Sequence, residues 1–362
     1  MASTLNVTEI KIQFTLTLFL ISYGLAQLFV GSLLDSFGRY KINLMSLVIF
    51  TAASLIIANT TNIYLIYAMR IIHGITVGAI VVSKRAFFVD MYSGDKLKHY
   101  LSMFSIIWAT APIIAPFAGG YLQSYFGWHA NFYFLSIFSL IILILEILFS
   151  GETIKQKMKF NIKTIGIIYS GMIKTASFTL GIMMLGLSYS MVMIYNMTGP
   201  FVIEHQLGLS PLVAGYSSLI LGAAVMVGGL LGKATIDKPF NKKLFINLFV
   251  QLIFALFMLF TIGIVSNLYV LVCFAFLIHA SSGYTFNSFF TYCLSRFPKN
   301  AGIAGGLTGG INYVVVSILS YGIIYFIPAE DTANLNYSYL ILIALSLVVM
   351  YVISKFKEPI IS

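Results

Sequence analysis

The chain has 362 residues, 59% of them hydrophobic and 9% charged, with a mean hydropathy of +0.96. Its 21 Lys and Arg and 11 Asp and Glu cannot cover a soluble protein of this length, because soluble domains average about 25% charged residues. Soluble globular, disordered and disulfide-stapled classes are excluded, and the formal net charge of +10 has to be read by its placement.

What remains is an all-α polytopic membrane protein. About 20 apolar residues cross the hydrocarbon as a helix. Eleven such spans are predicted near 11–33, 42–58, 63–82, 98–121, 131–149, 176–199, 212–232, 244–265, 268–292, 301–326 and 338–354. The runs are continuously apolar rather than alternating, which excludes a barrel. The first run lacks a basic head and leads into a polar, charged turn, unlike a cleavable signal. Cys273 and Cys293 fall in or beside apolar stretches and say nothing about redox compartment.

Apart from Lys11 and Arg70, every basic residue lies in the alternate connections that begin with 34–41. That side is expected to be cytoplasmic, so the positive charge labels topology and no nucleic-acid partner is expected. The opposite turns carry acid or nothing, as at Glu204, Glu330 and Asp331. The longest basic connection divides the chain into an N-terminal bundle (1–149, five spans), a cytoplasmic basic linker (150–175) and a C-terminal bundle (176–362, six spans). Two bundles about a central linker predict a transporter built from repeated halves.

Four groups of residues stand out. The turn after the first span reads Gly31-Ser-Leu-Leu-Asp35-Ser-Phe-Gly38-Arg39-Tyr-Lys41, where a glycine permits close helix approach and the aspartate offers an acceptor. A generic basic hairpin is the plainer reading. The third span contains Arg70-Ile-Ile-His73-Gly74, and His73 and Gly74 share a helix face with Arg70. Arginine in hydrocarbon costs at least about 2.5–3.5 kcal/mol on insertion scales and is a functional candidate, although it also snorkels from helix ends. The fourth span carries Ala111-Pro112-Ile-Ile-Ala115-Pro116-Phe-Ala-Gly119-Gly120, paired prolines and small residues that bend and thin a helix. Tyr195, Asn196, His279 and Asn312 are candidate cavity residues. For His279 a neutral imidazole bonded to a neighbouring helix is the alternative. Glu146, about one turn from its span end, is expected to snorkel to water. The 22 Tyr, 31 Phe and 15 Met suit an adaptable apolar cavity, and equally the lipid-facing positions of any such bundle.

The first turn fits G-x-L-x-D-x-x-G-R-x-[RK] and resembles the signature loop of the major facilitator superfamily. Ser36 stands where that loop prefers a basic residue. Arg70 to Gly74 resembles its R-x-x-Q-G motif, with His73 in place of glutamine, and the fourth span resembles its antiporter motif. With Gly127-Trp128-His129, Asn196 to Glu204 and Pro298 to Gly305 following in order, the chain resembles the Bcr/CflA branch. The resemblance implies a two-bundle fold and a monomeric exporter of drugs or small metabolites, coupled to protons, in the inner (cytoplasmic) membrane. It also implies a latch at Asp35 and Arg39 and proton coupling near Arg70, His73 and Gly74. No cofactor, metal or catalytic residue is implied. The alignment leaves the family's first helix without a counterpart, giving five spans plus six. The alternatives are a specific metabolite or siderophore transporter, or a truncated remnant that does not transport. No Ser-His-Asp set, H-E-x-x-H or phosphate-cradling loop points to an enzyme.

Overall fold

A computed structural model describes residues 1–92, 96, 114–154, 162–265, 267–297, 301–328 and 331–355; at 32, 35, 162–165, 168, 295 and 301–303 it describes the backbone alone. Its helices are α1 (Ala2–Leu5), α2 (Glu9–Phe37), α3 (Arg39–Ala58), α4 (Ile63–Met91), α5 (114–126), α6 (His129–Phe149) and α7 (Ile162–Ile173). After them come α8 (Ala176–Phe201), α9 (Pro211–Ala234), α10 (Phe240–Ile262), α11 (Leu268–Ser295), α12 (Ala301–Phe326) and α13 (Thr332–Lys355). Among the described residues ten helices are long and apolar enough to cross a membrane. The span predicted at 98–121 falls largely outside those residues, and its described end is α5.

Sequence-local chemistry sets several helix starts. The Asn62 side chain accepts from the amides of Tyr64 and Leu65 at 2.9 and 3.3 Å, and that of Asn267 accepts from Val270 at 3.0 Å, so each caps its helix. Pro211 opens α9, where a missing N–H costs nothing. Asp331 accepts from the Asn334 amide at 2.7 Å, and Gln206 accepts from the Thr332 amide at 2.9 Å. With its end satisfied in this way, α13 begins ahead of the predicted apolar run.

The chain clusters into two compact units. Unit 1 comprises 1–111, 125–169 and 309–314, with α2 packed on α4, α4 on α3 and α3 on α6. Ala26, Val30, Leu34 and Ala79 form one of its buried clusters, and Leu5, Ile57, Ile63, Ile66 and Trp128 another. Unit 2 comprises 112–124, 170–308 and 315–362, with α9 on α11, α11 on α10 and α10 on α13. The pairing order of unit 1 therefore recurs in unit 2, with α8 added against α11 and α13. α8 is the most buried of the spans and α6 the least. A helix apolar all round and left uncovered by protein faces lipid.

Candidate functional site

In unit 1 the α2–α4 seam is thin at Gly74 and, one turn on, at Gly78, where a Cβ would lie 2.8 Å from that of Ala26. A Cβ on Gly74 would overlap the Ser22 hydroxyl and the Phe19 carbonyl and lie 2.7 Å from the Tyr23 amide nitrogen. Only glycine admits that approach. One turn earlier, Arg70 reaches α2, where Nε donates to the Thr15 carbonyl at 3.4 Å and the guanidinium lies 4.8 Å from the Phe19 ring centroid. His73 leaves the same helix toward α3. It is fully buried, with Nε2 3.0 Å from the Ser54 hydroxyl in a hydrogen bond and its ring stacked on Phe50 at 4.4 Å. Arg70 and His73 are thus one turn apart on α4 but are held by different neighbours.

At the lysine-bearing end of unit 1, Gly38 joins α2 to α3 at φ 102°, a conformation open to glycine. A Cβ there would also meet the Glu152 carboxylate. Glu152 Oε1 accepts from the amides of Arg39 (3.1 Å), Thr153 (3.1 Å) and Ile154 (3.2 Å), so a carboxylate sits on the positive end of α3. The Arg39 guanidinium donates to the Ala86 carbonyl at 2.7 Å and pairs with Asp90 at the end of α4. Asp90 also accepts from the Thr153 hydroxyl at 2.9 Å. Gly31, on the same motif, has no described atom within 4 Å of the place a Cβ would take. The Asp35 side chain lies outside the described positions; its backbone belongs to the last turn of α2.

α4 does not stop near residue 82 as its apolar run predicts but continues to Met91. Its extra turns carry Lys84, which pairs with Glu146 of α6, and Asp90, which pairs with Arg39. Glu146 is therefore held by a cation, with a side chain only 12% exposed. Paired charges allow a helix to continue where bare ones would end it.

The antiporter-like segment packs within unit 2. A Cβ on Gly120 would lie 2.8 Å from the Pro211 carbonyl and 3.2 Å from Gly215 Cα, and Phe117 meets Tyr216 at 5.0 Å between ring centroids. Pro116 contributes the carbonyl opposite Gly215, and Gly119 is half-buried. Pro112 lies outside the described residues.

Of the four cavity candidates, Tyr195 and His279 come together. Their rings meet edge-on at 5.5 Å, and His279 Nε2 is 3.1 Å from the Tyr339 hydroxyl. Asn196 is half-buried, and Asn312 lies in the 309–314 segment of unit 1. Sequence reading passed over Gln251, which donates to the Ile278 carbonyl (3.0 Å) and the Ser282 hydroxyl (2.9 Å). It also passed over Asn247, which donates to the Ser281 carbonyl and the Thr285 hydroxyl, both at 2.9 Å. Asn336, donating to the Ala255 carbonyl at 3.1 Å, was missed as well. The usable signal was an isolated amide inside an apolar span. Among the described residues no group of three or more His, Cys, Asp or Glu is placed to hold a metal ion.

The family model described as Major Facilitator Superfamily matches residues 1–321. The uncharacterized MFS-type transporter YdgK of Bacillus subtilis (strain 168) is 28% identical over 331 residues, covering 88% of this chain and 81% of that one. The bicyclomycin resistance protein homolog of Haemophilus influenzae is 32% identical over 162 residues, covering 45% of this chain and 41% of that one. The crystal structure of a D-xylose-proton symporter superposes with a TM-score of 0.74 at 17% identity, covering 98% of this chain and 90% of that one, a likeness of fold. Together with the ten apolar helices, these findings make the chain a multi-pass membrane protein with the two-bundle transporter fold. It belongs to the Major Facilitator Superfamily.

Proposed function

We propose that the chain is a proton-coupled exporter of drugs or small metabolites. It works by alternating access between its two bundles, as a monomer in the inner (cytoplasmic) membrane. The resistance name of the Haemophilus influenzae relative and the order of the motifs support export. The observation that carries the reading is Arg70. It is a guanidinium inside an apolar span, held by the Thr15 carbonyl and the Phe19 ring, with no ion pair to a carboxylate among the described residues. Such a charge raises the cost of a second cation beside it, and that cost changes when water or a carboxylate approaches. Arg70, with His73 beside it, thereby shapes a buried site whose proton affinity changes between the two states as substrate moves the opposite way. His73, anchored on α3, ties this region to the α3–α4 pairing.

In this reading the Asp35–Arg39 turn is the latch. Arg39 is held within unit 1 by Asp90 and Glu152, and Asp35, at the end of α2, is the group that changes partner between states. Pro112, Pro116, Gly119 and Gly120 shape the bending face. The test is proton-dependent efflux of bicyclomycin from cells expressing Asp35→Asn or Arg70→Ala. Both variants should reach the membrane at wild-type levels and lose efflux. Unchanged efflux in both overturns the assignment of roles.

A further inference from the structure

We propose that Gln27 of α2 and Asn312, in the 309–314 segment of α12 that clusters with unit 1, bind the amide or lactam group of a small-molecule substrate. Both residues lie inside membrane spans and are deeply buried, 6% and 4% exposed. Gln27 Nε2, a donor, and Asn312 Oδ1, an acceptor, are buried with no hydrogen-bond partner. Gln27 Oε1 lies 3.5 Å from the place a Cβ on Gly309 would take. Asn312 follows Gly309 by three residues, on the same side of the helix and about 4.5 Å along it. One helix thus brings an unmet donor, and the other an unmet acceptor, to the same stretch of seam.

Small residues bring the two helices this close. A Cβ on Gly24 would lie 2.6 Å from the Gly310 carbonyl, and one on Gly310 would lie 2.8 Å from the Gly24 carbonyl, so the backbones touch. Tyr23 and Tyr313 meet edge-on beside them at 4.7 Å between ring centroids. Apolar side chains of the same size would suit such a seam better, because an unmet buried amide forfeits the hydrogen bonds it makes in water. Folded proteins keep few groups of this kind, and a local rule broken without structural gain marks a functional position.

The chemistry that satisfies both groups is narrow. The ligand presents a carbonyl oxygen to Gln27 and an N–H to Asn312, the two halves of one secondary amide or lactam. At low dielectric each of these bonds is stronger than in water. A site built to hydrogen-bond also rejects an analogue lacking the group far better than an apolar pocket rejects an added methyl. In this structure the glycines close the seam, and the ligand enters when α2 and the 309–314 segment part. That movement rests on the alternating-access reading above, which the site deepens by naming a substrate class; binding itself is measured without transport.

The experiment is equilibrium binding of tritiated cyclo(Leu-Phe), a ring of two lactams, to the purified full chain in mixed micelles, paired with denaturant unfolding of each variant. The wild-type chain should bind it saturably, and the N,N′-dimethyl analogue, which lacks both N–H groups, about tenfold more weakly or worse. Gln27→Met and Asn312→Leu should each weaken binding of cyclo(Leu-Phe) about tenfold, the effect of one hydrogen bond. Both variants should unfold at the same denaturant concentration as wild type or a higher one, since each removes an unmet buried amide. Absence of saturable binding, equal binding of the dimethyl analogue, or affinity unchanged in both variants overturns the site. A variant that unfolds earlier or fails to insert also overturns it, because the amide is then satisfied structurally, as by a buried water. Any of these results with proton-driven efflux of ethidium intact leaves the exporter reading standing. Binding as expected in a protein without proton-driven efflux overturns the exporter reading alone.

Discussion

Replacing Gly74 by alanine tests the α2–α4 seam on which the Arg70 region stands. A methyl at that position meets the Tyr23 amide nitrogen at 2.7 Å, where a relaxed contact needs about 3.5 Å. α2 must then recede by at least about 0.8 Å, because the Phe19 carbonyl is a still closer backbone obstacle. Overpacking of this kind costs about 1–3 kcal/mol, against about 1 kcal/mol that a glycine-to-alanine change gains in helix propensity. Arg70 is anchored on the same stretch of α2 by a 3.4 Å hydrogen bond, so the displacement also loosens its hold. Gly31→Ala is the internal control, since no described atom lies within 4 Å of its added methyl. Equilibrium unfolding in mixed micelles should find Gly31→Ala neutral or more stable by up to about 1 kcal/mol and Gly74→Ala about 1–3 kcal/mol less stable than Gly31→Ala, the propensity gain being common to both. Adding Ser22→Ala should not rescue Gly74→Ala, because the remaining obstacles are main-chain atoms. Gly74→Ala as stable as Gly31→Ala, or full rescue by Ser22→Ala, refutes the close seam.

The ion pairs of unit 1 give two more expectations. Lys84→Met leaves Glu146 unpaired at 12% side-chain exposure, so it should destabilise more than the double variant Lys84→Met/Glu146→Leu; the reverse order in the same unfolding assay dismisses the pair. Glu152→Ala strips the acceptor from three amides, among them that of Arg39 at the start of α3. It should cost about 1–2 kcal/mol, the size of a lost helix cap, and speed backbone amide exchange at residues 39–41. Unchanged exchange there counts against the capping role.

The spans were legible because a continuous apolar run has one physical solution in lipid, a helix that satisfies its own backbone. Predicted and observed limits agree within a few residues for α3, α6, α8 and α9. The extension of α4 through Lys84, Arg85 and Asp90 was not legible, since those charges read as a loop. Lys84 and Asp90 are accommodated on the helix by Glu146 and Arg39, which arrive from elsewhere in the chain. Arg39 itself was marked by its motif, but its partners lie 51 and 113 residues away, and no local pattern announces a pairing at that distance. The pairing of His279 with Tyr195 and Tyr339 depends on which faces of α8, α11 and α13 meet, and periodicity is silent in helices apolar on every side.

The central claim is that outward movement of substrate is driven by protons moving inward. The direct measurement uses the purified full chain in sealed phosphatidylethanolamine–phosphatidylglycerol vesicles, with ethidium as the fluorescent probe and an imposed pH gradient. The account predicts ethidium movement against its own gradient while the pH difference lasts, collapse on adding a protonophore, and no such movement in Arg70→Ala vesicles. Ethidium movement at the same rate without a pH gradient, indifferent to the protonophore, contradicts proton coupling.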